Sequence, residues 1–435
     1  MKQSLIVGLL SLLVFSGQAQ IVGLDQVMQL ALEHNHNIRV FQNNVLIAEN
    51  NADRGNAGQL PTVNLQGGAN YSNNNTKLEL LGVPEPIEVN GAESFNYNGS
   101  VGVNWTIFDG MAMFKNYKKL VLMYDLENVK TRASVEATLI QVVNTYYLAA
   151  NAANNVEVAR QSVQISQDRT NRAEAKFESG GSSSIDYLSA KVDLNSDSVT
   201  LANAEAQLLQ FSEQLNMLTG YKLPSKFEID MDVDIVETMS LEELEKNAFE
   251  NNAQLLNAEY NKLVAEKDLE LANSTYMPVI ALNGSYGING ANNEVGNLLE
   301  SRNTGLTGGV TLVYPIFQAN QRKIRANNAR VQYESFQELQ LLAKDQLTMD
   351  LRNAWVEYEK DKTVLKMEES NLRNAEANFS RTRELYQIGK VTNTQFRDAQ
   401  LNYLRAQVRI VSSKYEVRTS EFELLRLSGL LIQKK

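Results

Sequence analysis

Hydrophobic and polar residues alternate one by one in two glycine-rich windows of the chain, residues 61–110 and 278–317. Successive side chains of a strand point to opposite faces, so a period of two predicts strands with one apolar and one polar face. Each window is divided by a loop and predicts a β-hairpin with strands of about 10 to 13 residues. The apolar positions are Val63, Leu65, Ala69, Tyr71, Phe95, Tyr97, Val101, Val103, Trp105 and Ile107, then Ile280, Leu282, Tyr286, Ile288, Leu306, Val310, Leu312 and Tyr314.

Long runs without glycine or proline, the two strong helix breakers, make up most of the remaining chain. The longest are residues 111–179 and 318–388. A helix of that length would extend about 100 Å, which no compact globule could hold. Each is followed by a glycine turn and a shorter run, 182–219 or 390–428, in which apolar residues recur every seven positions as in a coiled coil. The recurring residues are Leu194, Leu201, Leu208 and Leu215, with Ala204, Phe211 and Leu218 three positions further on, and Leu401, Val408, Tyr415 and Phe422 beside Tyr403, Ile410, Val417 and Leu424.

The same order of elements occurs twice along the chain. An offset of 217 residues aligns Asn35 with Asn252, and after a shorter loop an offset of 209 aligns Gly180 with Gly389. A duplication of this length predicts a pseudo-symmetric fold. The predicted organisation is a signal peptide at 1–19, a first repeat at 20–220 (helix about 37–58, hairpin 61–108, long helix 110–178, helix 184–220), a linker at 221–240 and a second repeat at 241–435 (helix about 253–275, hairpin 278–317, long helix 318–388, helix 393–428).

Composition narrows the class of protein. Residues 1–19 have the features of a secretory signal, with Lys2, a short apolar stretch at Leu5–Phe15 and small residues before the expected cleavage point. The chain has no cysteine, which removes a disulfide framework and a thiolate nucleophile from consideration. Its net charge of −10 argues against a nucleic-acid partner, because such partners need a basic surface. We therefore expect an exported protein stabilised by packing alone.

The two hairpins allow two interpretations. They could be soluble hairpins that cover a core with their apolar face, or membrane strands that expose this face to lipid. We prefer the second, because the long helices leave no evident core for the hairpins to cover. In lipid no sheet edge can stay open, so four strands must close into a barrel with strands of other copies. Two copies would give eight strands and three would give twelve, and an open bore favours the trimer.

Several short motifs, taken together with the duplication, indicate a family resemblance. Val103–Gly110 is echoed by Leu312–Phe317, strands begin at Leu60–Val63 and Met277–Ile280, and a helix ends at Leu385–Gly389. With the tandem arrangement they resemble the TolC-like outer-membrane efflux protein family over essentially the whole mature chain. The resemblance implies a mixed α/β membrane protein in which four β-strands per chain contribute to a trimeric twelve-stranded outer-membrane β-barrel. Long coiled-coil helices would form a periplasmic α-barrel.

The resemblance also implies a location and partners. The chain would lie in the bacterial outer membrane and extend into the periplasm as a homotrimer. It would work with a periplasmic adaptor (membrane fusion) protein and an inner-membrane pump, either proton-driven or of the ABC type. It would be a passive exit duct for small molecules, without catalytic residues, cofactor or metal. Two alternatives remain open: the exit channel of a type I protein secretion system, and an exported structural coiled-coil protein without a pore.

Further expectations concern residues at the two helical turns. By resemblance, Asp186, Gln395 and Asp398 would narrow the periplasmic opening, although Gln395 departs from the acidic residue usual in the family. A competing interpretation makes Ser183–Asp186 and Thr392–Gln395 capping boxes that begin helices.

The adaptor would dock at the turns themselves. The residues implied there are Phe177, Gly180, Tyr386 and Gly389. Their simpler role is to end each helix with a glycine and to support the turn with an aromatic ring. His34 and His36 lie two positions apart on a predicted helix and so face different sides, which argues against a metal site.

Overall fold

The computed structural model describes residues 20–79, 81–82, 84–181, 183–224, 227–233, 239–296 and 298–432. The predicted signal peptide, 1–19, lies outside the described residues. The elements are β1 (Gln20–Val22), α1 (Leu24–His34), α2 (His36–Asn51), β2 (Thr62–Leu78), β3 (Ile87–Phe108), α3 (Ala112–Glu178), α4 (Ser184–Leu218), β4 (Phe227–Ile229), α5 (Leu241–Asn251), α6 (Ala253–Ser274), β5 (Val279–Asn293), β6 (Glu300–Val313), α7 (Gln321–Gln387) and α8 (Asn393–Leu427).

Contacts divide the chain into two compact units. The helical unit contains the described residues of 1–41, 132–252 and 346–435, and the sheet unit contains those of 42–131 and 253–345. None of the helices in the described part of the chain is both long and apolar enough to cross a membrane.

The sheet unit contains a four-stranded antiparallel sheet in the order β2-β3-β5-β6. Its register places Leu65 opposite Val101, Val101 opposite Tyr286, and Tyr286 opposite Leu306, so one apolar row crosses all four strands. On the opposite face, Asn98, Asn289 and Asn303 form a polar row across three strands, and Gly68 of β2 pairs with Asn98. The alternation of the sequence therefore does mark the two faces of the sheet.

Several bounds differ from the predicted ones. The strands have 17, 22, 15 and 14 residues, longer than expected, because backbone pairing continues through polar stretches that have no apolar alternation. Helix α2 ends at Asn51, not near residue 58, because the Asp53 carboxylate accepts a hydrogen bond from the Gly55 amide at 2.6 Å and stabilises a turn. Left-handed backbone at Met111 and Asn320 delays the start of both long helices.

A second, unpredicted sheet lies in the helical unit. Strand β1 pairs in parallel with β4, which belongs to the segment expected to be a linker. The Tyr146 hydroxyl lies 3.1 Å from the Val22 carbonyl and 3.0 Å from the Asp230 carbonyl, so it connects the two strands to α3. The surrounding core is apolar and includes Val27, Val142, Val143, Leu215, Leu218 and Ile229.

The duplication appears as repeated contacts in this unit. The Asn35 amide donates to the Leu218 carbonyl at 2.8 Å, and the Asn252 amide donates to the Leu427 carbonyl at 2.9 Å. Each bond ties a junction between two helices to the end of one of the 35-residue helices, α4 or α8. The aligned asparagines of the two repeats are thus equivalent hydrogen-bond donors.

Candidate functional site

Both helical turns are closed by a glycine in the left-handed region. Gly180 has a φ of 75° and Gly389 a φ of 74°. The Gly180 amide donates to the Phe177 carbonyl at 3.0 Å, and the Gly389 amide donates to the Tyr386 carbonyl at 3.1 Å. This pattern satisfies carbonyls that a helix end leaves unpaired. The simpler structural role of these four residues is therefore observed at both turns.

An aromatic pair supports each turn, but the two pairs differ in burial. Phe177 stacks on Tyr187 with ring centroids 6.1 Å apart, and Tyr386 stacks on Phe396 at 4.6 Å. Phe177 is 42% exposed, whereas Phe396 is 5% exposed because Phe379 and Ala399 pack against it. The second turn is consequently the more firmly anchored of the two.

A groove of about 560 Å³ lies between the turns and is lined by residues of both. It brings together three of the predicted residues, Asp186, Tyr386 and Gly389. Gln395 and Asp398 are exposed on α8 and do not line it. Burial raises the pKa of Tyr386, and the Asp186 carboxylate adds to this effect while the Arg169 and Arg172 charges oppose it.

One of the two predicted capping boxes forms. The Gln395 amide donates to Thr392 Oγ1 at 3.2 Å, and the Thr392 amide donates to Gln395 Oε1 at 2.9 Å. The reciprocal box does not form at Ser183–Asp186, because the Ser183 side chain accepts no capping hydrogen bond from α4. Asp186 stays exposed in the first turn of α4, where its negative charge is favourable to the helix dipole.

A buried ionic contact within the helical unit was not predicted. Arg397 of α8 donates to both carboxylate oxygens of Asp197 on α4, at 2.7 and 2.8 Å. Ser166 of α3 donates to the same carboxylate at 2.5 Å, so three helices meet at one side chain. A signal for Asp197 does exist in the sequence, since it stands three positions after Leu194 in a row that otherwise holds Ala204, Phe211 and Leu218. Nothing comparable marks Arg397.

The environment of Asp197 keeps it ionised. Burial alone would raise the pKa of this carboxyl group. The hydrogen bonds from Arg397 and Ser166, together with the Arg397 charge, outweigh burial and lower the pKa below its ordinary value of 3.8. Asp197 and Arg397 therefore form a charged pair at neutral pH.

Comparison with known proteins agrees with this architecture. The sequence profile of the outer membrane efflux protein family matches residues 27–221 and 244–430, one match for each repeat. The chain is 21% identical over 417 residues to the probable efflux pump outer membrane protein TtgC of Pseudomonas putida, covering 93% of this chain and 82% of that protein. It is 22% identical over 302 residues to the outer membrane protein TolC of Vibrio cholerae, covering 69% of each.

Solved structures show the same fold. The outer membrane channel CmeC of Campylobacter jejuni superimposes with a TM-score of 0.77 at 15% identity, covering 94% of this chain and 86% of that one. The family profile covers both repeats and most of the chain. The chain therefore belongs to the outer membrane efflux protein family, whose members lie in the bacterial outer membrane and extend into the periplasm.

Proposed function

We propose that this chain is the outer-membrane channel of a tripartite efflux system, a passive trimeric exit duct that catalyses no reaction. The observation that supports it best is the sheet, which has an apolar row on one face, a polar row on the other and two edges that pair with nothing in the described chain. The row is open to its surroundings, with Leu65 83% and Leu306 81% exposed.

The two open edges explain why other copies are needed. Strands β2 and β6 each pair on one side only, so each leaves backbone amides and carbonyls unpaired. Unpaired backbone groups are very costly in lipid, and pairing β6 of one copy with β2 of the next would satisfy them. Three copies would close a twelve-stranded barrel, with the apolar rows outside and the asparagine-rich rows inside.

The periplasmic opening would be controlled at the turns. Asp186 and Asp398 are exposed, and three copies would bring six carboxylates to the opening, which would favour cations. Gln395 would contribute less to this opening, because its side-chain oxygen already accepts a hydrogen bond in the cap of α8. Two relatives from Pseudomonas putida are named as proteins of an antibiotic efflux pump and a toluene efflux pump, which supports small molecules as cargo.

Conductance tests this function. The full-length mature protein, purified in detergent, is expected to have the mass of three copies and to produce discrete conductance steps in a planar bilayer. The double variant D186N/D398N should reduce the preference for K⁺ over Cl⁻, whereas E213Q, an exposed carboxylate further along α4, should not. A monomer without conductance steps would exclude a channel and favour the structural coiled-coil alternative.

Docking of the adaptor at the second turn gives a separate prediction. G389W is expected to prevent co-purification with the periplasmic adaptor, because the bulky ring fills the surface between the turns. A Cβ atom at Gly389 meets nothing within 4 Å, so the ring would project freely.

The matched control is G58W in the sheet unit. Gly58 has a φ of 84° and equally open surroundings, so this variant introduces the same kind of backbone strain elsewhere. Retained adaptor binding in G389W, or equal loss in both variants, would contradict docking at the turn. The conductance of G58W in the absence of adaptor should equal that of the wild type.

A further inference from the structure

A small cavity in the helical unit has three arginines among its eight described lining residues. It has a volume of about 40 Å³ and is bordered by Arg169 and Arg172 of α3 and by Arg383 of α7. Asp168 is the one carboxylate among its described lining residues. Tyr386 also borders it, so the cavity lies beside the α7–α8 turn. The groove between the turns is a different space that shares only part of its lining.

Arg169 is the buried member of this group. Its side chain is almost inaccessible, and one of its nitrogens, Nη2, donates to Asp193 at 2.5 Å. Its Nε and Nη1 atoms have no hydrogen-bond partner among the described residues. Buried donors of a charged group are costly to leave unpaired. An acceptor in the cavity would remove that cost.

The other two arginines lie at the exposed border of the cavity. Arg172 and Arg383 are exposed, and neither forms an ion pair among the described residues. A guanidinium group presents a planar fork of donors that matches the oxygens of carboxylate and phosphate.

Size and charge together select the ligand. A single water needs about 10–15 Å³ on the same measure, so the cavity has room for a ligand of a few heavy atoms. Water could accept the free hydrogen bonds of Arg169, but it would bring no negative charge to a site where three guanidinium groups meet two carboxylates, Asp168 and Asp193. A small anion with several oxygens can accept the hydrogen bonds of Arg169 and also bring a negative charge.

We propose that the cavity between Arg169, Arg172 and Arg383 binds a small oxyanion, a phosphate or carboxylate group. The anion accepts hydrogen bonds from Arg169 and is held by the two exposed guanidinium groups. Because these groups belong to α3 and α7, the bound anion links the long helices of the two repeats beside the second turn. Anion binding stabilises this end of the helical unit.

Calorimetric titration tests the site. Inorganic phosphate, and separately acetate, is titrated into the full-length protein in detergent at neutral pH, with ionic strength held constant by NaCl. The wild type is expected to bind at least one of the two anions, and R383Q or R172Q should weaken its binding by about tenfold or more. These positions are chosen because they are exposed, whereas Arg169 also pairs with Asp193 and its loss would disturb packing.

The matched control is R381Q, two positions from Arg383 on the same helix. Arg381 is 72% exposed and pairs with Glu384, so its removal should leave the affinity unchanged. The same anion should raise the thermal midpoint of the wild type and of R381Q, but not that of R383Q. Failure of both anions to bind the wild type, or equal affinity in wild type and R383Q, would overturn the proposal. Neither result depends on channel activity.

Discussion

Replacing Asp197 with asparagine is expected to destabilise the helical unit by about 3–5 kcal/mol, because it leaves a buried guanidinium without its counter-charge. The side chains of Arg397 and Asp197 are only 14% and 8% exposed. The substitution keeps the shape of the side chain, so the effect reports the charge and its hydrogen bonds. The measurement is the thermal midpoint of helix content in detergent at neutral pH.

Two further variants separate the charge from the packing. In the double variant D197L/R397M, no charge is left unpaired, and stability should return to the wild-type value or exceed it. The exposed pair of Arg160 and Glu157 is the matched control, since its side chains are 60% and 70% exposed and its loss should cost no more than about 1 kcal/mol. If D197N melts with the wild type, the pair contributes nothing to the fold.

The same pair has a defined pH dependence. Asp197 has a lowered pKa in the folded protein, so its contribution is fully present above the ordinary carboxyl pKa of 3.8. It is lost as the pH falls through the lower pKa of the folded state. The stability difference between wild type and D197N should therefore be constant from neutral pH to about pH 4 and shrink below it. A difference that shrinks near neutral pH would indicate another titrating group.

The sequence predicted those structural features that depend only on neighbouring residues. Alternation identified the faces of the sheet because each side chain on a strand faces either one side or the other. Glycine and proline located the turns because they break helices wherever they occur. The equivalence of Gly180 and Gly389 also followed, since aligned positions of a duplicated unit have the same backbone conformation.

The sequence did not predict contacts between segments that lie far apart in the chain. Strand β4 has three residues, too few to show a period, and its pairing with β1 depends on the fold of both repeats. Asp197 could be noticed as a polar residue in an apolar row, but its partner lies 200 positions away. Ser183 and Asp186 have the spacing of a capping box without forming one, because spacing does not fix the side-chain rotamer.

The second large effect on stability is expected at the ends of α4 and α8, where each repeat has an equivalent helix junction. Gly220 and Gly429 follow α4 and α8, with φ values of 62° and 71°. A Cβ atom at Gly220 would lie 2.6 Å from the His34 carbonyl oxygen, and one at Gly429 would lie 2.5 Å from the Asn251 carbonyl oxygen. Both obstacles are backbone atoms, which cannot turn aside as a flexible side chain would.

G220A and G429A are each expected to lower the stability of the helical unit by about 2–5 kcal/mol, combining roughly 1–2 kcal/mol for left-handed backbone with about 1–3 kcal/mol for the forced displacement. G389A is the matched control, because Gly389 has a φ of 74° and open surroundings. Its destabilisation should therefore report only the cost of left-handed backbone. Thermal midpoints of the three variants in detergent separate the two terms. Since the junctions belong to different repeats and share no partner among the described residues, the effects of G220A and G429A should add in the double variant. Equal midpoints for G429A and G389A would mean that the junction yields to the added methyl group, and the close approach of the helix ends would then have no energetic weight.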